Sequence, residues 1–366
     1  MRNKTLYTME NLNNIIENFA LEGEIKEIKP LGNGLINTTY AIITEGESDN
    51  YVLQCINHNI FKDVDLLQKN IELITTQIEK KLIEKGETDI KRKTLKTIPT
   101  KDGKLYHFDG DKYWRVTILI PDAVTFESVT PDLAYQTGLA FGDFQYMLSE
   151  LPEPLGETIP DFHNMEFRLE QLDDAIEADV AGRVDAMMEI IEEIDDRREE
   201  MCKVQQLFRE GKFPKRITHC DTKVNNILFD KDGKILCVID LDTTMPGFVL
   251  SDFGDFMRTA GNKGKEDDTD LSAVGIDMEI FKSFAKGYIE SAGKFLTPIE
   301  KEMLPYGAKL LTYMQTVRFL TDYLNGDTYY KIQYPEHNKQ RTLAQFKHLR
   351  SIEEHEEEMN KFIASL

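Results

Sequence analysis

One segment near the middle of the chain constrains both the fold and the chemistry most strongly. It reads ITHCDTKVNNILFDKDGKILCVIDLD and spans residues 217–242. Two apolar runs, 227–229 and 235–239, flank a turn that contains Asp232 and Gly233. Short apolar runs around Asp-Gly are typical of a β-hairpin. A loop followed by a tight hairpin brings together polar residues that are far apart in sequence.

The polar residues of this segment are those that phosphoryl transfer requires. His219, Asp221 and Asn226 form the pattern H-x-D-x-x-x-x-N, and Asp240 follows Asn226 after fourteen residues. Phosphoryl transfer uses a carboxylate that orients the attacking hydroxyl and oxygen ligands that hold Mg²⁺ against the phosphates. Lys223 adds a cation that can offset charge on the transferred group. An Asp- and Asn-rich surface loop is the alternative, but the agreement of identity, spacing and hairpin context favours a site.

The arrangement of strand and helix patterns predicts an α+β fold with two lobes. Short β-rich runs occupy 22–31, 37–44, 51–57, 105–108 and 113–120, and one helical repeat at 64–85 lies between them. After Pro121, long helical patterns begin, including 131–149 and 167–209. We therefore expect a small antiparallel-sheet lobe over 1–121 and a larger, mostly helical lobe over 122–366.

Composition excludes some classes of partner. The 366 residues include 65 acidic and 44 basic side chains, a formal charge of −21. The electric field of so negative a protein repels nucleic acid and anionic membranes. Any bound ATP must therefore be held by local backbone N–H groups, a metal and a few Lys or Arg side chains. The sequence has no signal-like or membrane-length apolar stretch, which predicts a cytoplasmic protein without a membrane partner. Its four cysteines lack C-x-x-C spacing, which favours reduced, buried thiols. The oligomeric state stays open.

The 217–242 segment resembles the catalytic and metal loops of the aminoglycoside phosphotransferase and choline kinase superfamily, relatives of protein kinases. Within it, the chain is most similar to the N-acetylhexosamine 1-kinases. The similarity includes GNGLINTTY at 32–40, AFGDFQ at 140–145, VIDLDTTMPG at 238–247 and the family-specific RFLTDYLNGDTYYKIQYPEHNKQRT at 318–342. The resemblance implies a bilobal protein-kinase-like fold, ATP as the phosphate donor and Mg²⁺ as the cofactor. It makes Asp221 the base, and Asn226 and Asp240 the Mg²⁺ ligands.

The nucleotide-binding prediction rests on the N-terminal strands. Gly32 and Gly34 lie between two predicted strands, where glycine permits close backbone approach to phosphate, although a plain β-turn uses the same residues. Asn37 and Thr38 are candidate side-chain donors. The next strand carries Gln54 where the superfamily has a phosphate-binding lysine. The N-acetylhexosamine kinases resemble this chain at that position too, so the residue that grips the phosphates stays open.

The acceptor site is predicted from the family-specific segment. A sugar requires several directional polar groups and an aromatic or apolar wall. The resemblance assigns the acceptor contacts to Thr243, Arg318 and Tyr329. Arg318 and Asp322 are one helical turn apart, so a simple ion pair between them is an alternative.

Two other groups have structural explanations. Asp252, Phe253 and Gly254 spell the metal motif of protein kinases but lie outside the hairpin, so we expect Asp252 and Asp255 to brace the catalytic loop or cap a helix. His163 and Arg168 are weaker acceptor candidates, and a surface pair is the favoured explanation for them.

Three functional hypotheses follow. The first is phosphorylation of the anomeric hydroxyl of N-acetylglucosamine or N-acetylgalactosamine, between which the sequence does not choose. The second is the same chemistry on another acceptor, such as another sugar, choline, homoserine or an aminoglycoside. The third is an inactive kinase-like binding protein, suggested by Gln54. Retention of Asp221, Asn226 and Asp240 argues against the third hypothesis.

Overall fold

The computed structural model describes residues 7–32 and 36–366 and confirms the predicted α+β class. The chain divides into two compact units. The first contains Met1–Val124, Leu151–Ile159 and Leu228–Asp242. The second contains Thr125–Glu150, Pro160–Ile227 and Thr243–Leu366. The division into lobes at residue 121 stays a prediction.

The first unit is built on an antiparallel sheet. Its strands are β1 (Ile25–Pro30), β2 (Thr38–Thr44), β3 (Tyr51–Ile56), β4 (Thr97–Ile98), β5 (His107–Phe108) and β6 (Tyr113–Ile118). The spatial order is β1-β2-β3-β6-β4, and β5 also pairs with β6. Helix α1 (Met9–Ile16) packs Leu12, Ile15 and Ile16 into the hydrophobic core of this unit.

Strand register separates an apolar row from a polar row. Tyr40, Leu53 and Val116 are aligned across β2, β3 and β6, and all three belong to the buried core. The next row along the strands consists of Thr39, Gln54 and Arg115. Because successive side chains of a strand point to opposite faces, this polar row lies on the face opposite the core.

Two helices and a hairpin complete the first unit. Helix α2 (Val64–Glu84) begins at Asp63, whose Oδ1 accepts the Leu66 N–H at 2.9 Å, and α3 (Ile90–Lys93) follows. Glu72 on α2 is exposed, so it is a solvated side chain. The predicted hairpin is confirmed as strands β8 (Ile227–Phe229) and β9 (Ile235–Val238), joined through Gly233 at φ +78°.

The second unit is mostly helical. Its helices are α4 (Pro131–Leu148), α5 (Met165–Ala178), α6 (Met188–Asp195), α7 (Arg198–Met201), α8 (Lys203–Arg209), α9 (Val249–Thr259), α10 (Met278–Ala292), α11 (Pro298–Glu302), α12 (Leu304–Leu324) and α13 (His337–Ser365). Strands β7 (Arg216–Thr218) and β10 (Met245–Gly247) form an antiparallel pair that the sequence did not predict. Helix α12 is buried along most of its length and forms the centre of this core.

The single long helix predicted over 167–209 is wrong. Helix α5 ends at Ala178 because Asp179 adopts a left-handed conformation, with φ +34°, and Gly182 follows at φ +64°. The Asp179 carboxylate accepts the N–H groups of Arg183 at 2.8 Å and Val184 at 3.2 Å. An aspartate that bonds to nearby backbone groups competes with helix continuation, so the chain restarts as shorter helices.

All four cysteines are free thiols. Cys220 and Cys237 are buried, as expected, whereas Cys55 and Cys202 are only partly buried. Burial raises the pKa of Cys237 to about 12, so this thiol is protonated and unreactive at neutral pH. Across residues 7–32 and 36–366, no helix combines the length and apolar character needed to cross a membrane.

Candidate active site

The loop between β7 and β8 holds the carboxylate of Asp221 in a defined orientation. Lys223 Nζ lies 2.7 Å from Asp221 Oδ1, and Asn226 Nδ2 donates to Asp221 Oδ2 at 3.2 Å and to the Asp221 carbonyl at 2.8 Å. The Asp221 side chain remains 26% exposed. The loop therefore presents an oriented carboxylate that a hydroxyl group can reach.

Lys223 is a stable cation in this loop. Burial acts to lower its pKa, but the negative charges of Asp221 and Asp255 act more strongly in the opposite direction. The net effect raises the pKa of Lys223 above its ordinary value. Lys223 is therefore protonated at neutral pH, as a residue that offsets phosphoryl charge must be.

Asp252 on α9 braces the start of the loop. Its Oδ2 accepts the His219 N–H at 2.8 Å, and its Oδ1 accepts the Cys220 N–H at 2.8 Å. Asp252 is fully buried, and Cys220 is held at φ +63°. Burial raises the pKa of Asp252, whereas the charge of His219 and these hydrogen bonds act in the opposite direction. The carboxylate thus satisfies two backbone donors where the chain turns sharply before Asp221.

Asp255, one helical turn later on α9, braces the next part of the loop. Its Oδ2 accepts the Thr222 N–H at 2.9 Å, and its Oδ1 accepts Arg258 Nη2 at 2.9 Å. Burial acts to raise the pKa of Asp255, but the positive charges of Arg258 and Lys223 lower it overall. The predicted bracing role of Asp252 and Asp255 is confirmed by these hydrogen bonds.

The AFGDFQ motif on α4 supports the same brace from another side. Phe141 and Phe144 contact the His219 ring edge-on, with centroid distances of 5.4 and 5.8 Å. Gln145 Nε2 donates to Asp252 Oδ2 at 2.6 Å, and Gln145 Oε1 accepts the Tyr288 hydroxyl. This motif therefore positions the catalytic loop and does not itself supply a reacting group.

Asn226 and Asp240 have the donor chemistry of Mg²⁺ ligands. Both hydrogen bonds of the Asn226 side chain to residues that the structure describes use its Nδ2, so the Oδ1 atom can serve as a ligand. Asp240 follows β9, adopts φ +60° and is exposed. Amide and carboxylate oxygens are the hard donors that Mg²⁺ prefers. Among the described residues, no group of three or more His, Cys, Asp or Glu side chains is arranged to hold a metal. The two ligand roles stay predictions.

The predicted phosphate loop is described only in part. Gly32 adopts φ +67°, a left-handed conformation that favours glycine, whereas Gly34 lies outside the described residues. Asn37 Nδ2 donates to Asp242 Oδ2 at 2.7 Å, and Asn37 Oδ1 accepts the Asn57 N–H at 3.0 Å. The Asn37 amide is thus committed to the protein. Thr38, at the start of β2, is partly buried.

Gln54 belongs to a polar network that sequence reasoning missed. Arg115 Nε donates to Gln54 Oε1 at 2.9 Å, and Arg115 Nη1 lies 2.5 Å from Asp242 Oδ1. Arg115 is 5% exposed and Asp242 is 2% exposed. Aligning β3 with β6 would have revealed Arg115, because the register of the two strands pairs it directly with Gln54. A buried cation therefore lies next to the position where the sequence lacks the expected lysine.

The predicted acceptor residue Arg318 is surrounded by aromatic rings. Its guanidinium carbon lies 5.3 Å from the Phe162 ring centroid, 5.6 Å from that of Tyr330 and 6.0 Å from that of Tyr329. The Arg318 side chain donates one hydrogen bond, to Gln315 Oε1 at 3.2 Å. Tyr329 is 64% exposed. These residues form a partly open surface that combines one guanidinium with aromatic walls, and we call it the Arg318 cluster.

Asp322 does not pair with Arg318, contrary to the alternative drawn from their helical spacing. Its carboxylate instead accepts the backbone N–H groups of Thr328, Tyr329 and Tyr330, at 2.9, 2.7 and 2.9 Å. Because these three donors follow one another in the chain, Asp322 fixes the conformation of the segment that carries the two tyrosines. It acts as a positioning residue for the Arg318 cluster.

His163 and Arg168 are both partly buried, and Arg168 donates to Gln171 Oε1 and to the Phe162 carbonyl rather than to His163, so the surface-pair explanation is wrong. Burial lowers the pKa of His163 to about 3, with the charge of Asp255 acting to raise it and that of Arg318 acting to lower it. Arg168 Nη2 donates to the Phe162 carbonyl at 2.9 Å and so holds one wall of the Arg318 cluster.

Thr243, the third predicted acceptor contact, lies beside the catalytic loop. Its hydroxyl donates to the His219 carbonyl at 2.8 Å, and the side chain is buried. The hydroxyl proton is therefore committed to the loop, whereas the oxygen can still accept a hydrogen bond. The contact of Thr243 with an acceptor stays a prediction.

Comparison with known proteins gives a family match over part of the chain and a shared fold. Residues 100–281 match the phosphotransferase enzyme family. An aminoglycoside phosphotransferase from Alicyclobacillus acidocaldarius has a TM-score of 0.63 at 10% identity, with 97% of this chain and 96% of that chain covered. A spectinomycin phosphotransferase in complex with ADP and spectinomycin has a TM-score of 0.56 at 14% identity, with 99% of this chain and 100% of that chain covered. A choline kinase from Streptococcus pneumoniae has a TM-score of 0.52 at 14% identity, with 90% of this chain and 94% of that chain covered.

The structural likenesses establish the fold, and the family match relates residues 100–281 to phosphotransferases. Identities of 10–14% carry no information about the acceptor. The matched family consists of enzymes that transfer phosphate to hydroxyl acceptors, and the match includes the braced loop with Asp221. Residues 100–281 thus match the phosphotransferase enzyme family, and the chain has the protein-kinase-like fold of aminoglycoside phosphotransferases and choline kinases.

Proposed function

We propose that this protein is an ATP-dependent kinase that phosphorylates the anomeric C1 hydroxyl of N-acetylglucosamine or N-acetylgalactosamine. The Arg318 cluster carries the choice of acceptor. Its guanidinium is surrounded by three aromatic rings and has no carboxylate partner among the described residues. Aromatic walls and N–H donors suit the apolar faces and hydroxyl groups of a neutral sugar. The resemblance to N-acetylhexosamine 1-kinases over residues 318–342 also supports this acceptor.

The proposed reaction uses the loop residues in distinct roles. Asp221 accepts the proton of the C1 hydroxyl as that oxygen forms a bond to the γ-phosphorus of ATP. The bond from the γ-phosphorus to the bridging oxygen breaks, and ADP leaves with that oxygen. Lys223 offsets charge on the transferred group. An anomeric hydroxyl is more acidic than an ordinary alcohol, so a modest base is sufficient.

Asn226 and Asp240 would hold Mg²⁺ in this scheme. Bound there, the ion would neutralise the phosphate oxygens and fix their orientation. The chain's own contribution is the geometry of the loop, since Asn226 donates through Nδ2 to Asp221 and thereby couples the base to a predicted ligand.

A cationic acceptor such as choline is the second candidate, and the charge of Arg318 disfavours it. Quaternary ammonium ligands bind in aromatic cages whose faces are free to meet the cation. In this chain Phe162, Tyr329 and Tyr330 already surround a guanidinium. A second cation would be repelled there, whereas a neutral polyol would not.

An acceptor panel tests the proposed function. ADP release from Mg-ATP is measured with N-acetylglucosamine, N-acetylgalactosamine, glucose, galactose, choline and homoserine. We expect the highest kcat/KM with one of the N-acetylhexosamines. Faster turnover of choline or homoserine would contradict the proposed acceptor but leave the phosphotransferase class intact. No turnover on any acceptor would favour the inactive binding protein.

Replacement of Arg318 by Gln tests the acceptor surface. We expect the KM for the sugar to rise about 10- to 100-fold, since hydrogen bonds from a charged donor contribute about 1.5–3 kcal/mol. The KM for ATP should change little. Lys331→Gln, which removes an exposed cation from the same segment, serves as the matched control. Equal KM values for the sugar in the Arg318→Gln variant and the wild type would exclude Arg318 from the acceptor site.

A further inference from the structure

Gln54 leaves the proposed ATP site without the lysine expected on β3, and the sheet supplies another cation. Arg115 on β6 is the direct cross-strand partner of Gln54, and Thr39 on β2 completes the same row. This row lies on the face opposite the apolar core row. The cation is therefore displaced by one strand but remains at the same level of the sheet.

The Arg115 guanidinium is held by two residues of the first unit, Gln54 and Asp242. Gln54 Oε1 accepts its Nε–H, and Asp242 Oδ1 accepts from its Nη1. Asp242 Oδ2 in turn accepts from Asn37 Nδ2, immediately before β2. The Asp242 carbonyl accepts the Thr158 hydroxyl at 2.8 Å. Arg115 is thus anchored to the start of β2, the strand that follows Gly32.

One edge of this guanidinium is left for a ligand. The two hydrogen bonds of Arg115 use Nε and Nη1, and its Nη2 makes no hydrogen bond to any residue that the structure describes. Nη2 is also not among the fully buried atoms without a partner. A fixed guanidinium with unused N–H groups is suited to phosphate oxygens, which arginine binds in a planar geometry.

We propose that Arg115, held by Gln54 and Asp242, binds the phosphates of the nucleotide in place of the lysine that is absent at position 54. This inference rests on the proposed use of ATP. In it, Gln54 is a positioning residue, because its carbonyl oxygen orients the Arg115 Nε–H, a task that a lysine at position 54 could not perform. Asp242 keeps the buried guanidinium neutralised when no nucleotide is bound.

A purely structural ion pair is the competing explanation, and a double variant separates the two. Arg115→Gln alone leaves the buried Asp242 carboxylate without its cation, which by itself destabilises a fold strongly. Arg115→Gln/Asp242→Asn removes both charges and retains side chains of similar size that can hydrogen-bond to each other. If the pair is only structural, the double variant should restore whatever the single variant loses.

Binding of ADP and of adenosine to these variants provides the test, measured by calorimetry after thermal unfolding has verified the fold. We expect the double variant to bind ADP about 10- to 100-fold more weakly than wild type and adenosine equally well. Arg115→Lys should recover part of the ADP affinity. Lys104→Gln, which removes an exposed cation of the same unit, should match wild type for both ligands.

Each alternative outcome has one meaning. ADP binding at wild-type strength in the double variant would overturn the proposal and make the pair structural. An equal loss of ADP and adenosine affinity would also overturn it, because a phosphate contact cannot weaken a ligand that has no phosphate. Absence of ADP binding to the wild-type protein would overturn the use of ATP itself. A different acceptor in the panel would leave this test unaffected, because nucleotide binding is measured without acceptor.

Discussion

Asp221→Asn is expected to lower kcat by about 100- to 10,000-fold, the range that general base catalysis contributes. Asparagine retains the size and hydrogen-bonding capacity of the side chain but cannot accept the hydroxyl proton. Its effect on the free energy of unfolding should be small, since the ion pair with Lys223 involves side chains that are 26% and 41% exposed. The measurement is kcat from ADP release with the best acceptor of the panel.

Asp232→Asn is the matched control for this variant. Asp232 is an exposed carboxylate in the turn of the neighbouring β8–β9 hairpin, so its replacement removes the same charge without touching the loop. We expect wild-type turnover from it. A kcat for Asp221→Asn within threefold of wild type would show that Asp221 is not the base.

Asp252→Ala is expected to destabilise the protein by about 2–6 kcal/mol. The variant leaves the buried N–H groups of His219 and Cys220 without an acceptor, and each unsatisfied buried donor costs about 1–3 kcal/mol. That loss is a large part of the roughly 5–15 kcal/mol by which domains are stable. Urea unfolding measures it, and activity should fall as well because these groups position Asp221.

Asp173→Ala provides the comparison for the stability measurement. Asp173 is an exposed carboxylate on α5 that pairs with Arg198 on the surface, and such pairs contribute about 0–1 kcal/mol. If Asp252→Ala lowered the free energy of unfolding by no more than this control, the hydrogen bonds of Asp252 would not brace the loop in solution.

The sequence predicted those features that depend on short-range patterns. The hairpin followed from two apolar runs around Asp232 and Gly233, and the structure forms it at those residues. The bracing role of Asp252 followed from its position outside the hairpin, which favoured Asp240 over Asp252 as the metal ligand. Both inferences used residues close in the chain, where local geometry limits the possible arrangements.

Features that depend on long-range pairing were missed. Arg115 is separated from Gln54 by 61 residues and from Asp242 by 127. The register of β3 and β6 brings Arg115 to Gln54, and the tertiary fold brings it to Asp242. Asp322 was matched to Arg318 by helical spacing, but the tertiary fold offered it three consecutive backbone donors. Backbone N–H groups compete with cations for a carboxylate such as that of Asp322. Sequence spacing does not reveal where a loop returns to a helix and brings those N–H groups close.

The most direct test of the central claim is the identity of the product. Wild-type protein is incubated with Mg-ATP and N-acetylglucosamine or N-acetylgalactosamine, and the product is examined by ³¹P and ¹H NMR. We predict a phosphate resonance coupled to the anomeric proton of one of these sugars, and its absence with Asp221→Asn. A phosphate on any other carbon, or no phosphorylated N-acetylhexosamine from protein that phosphorylates another acceptor, would contradict the assignment.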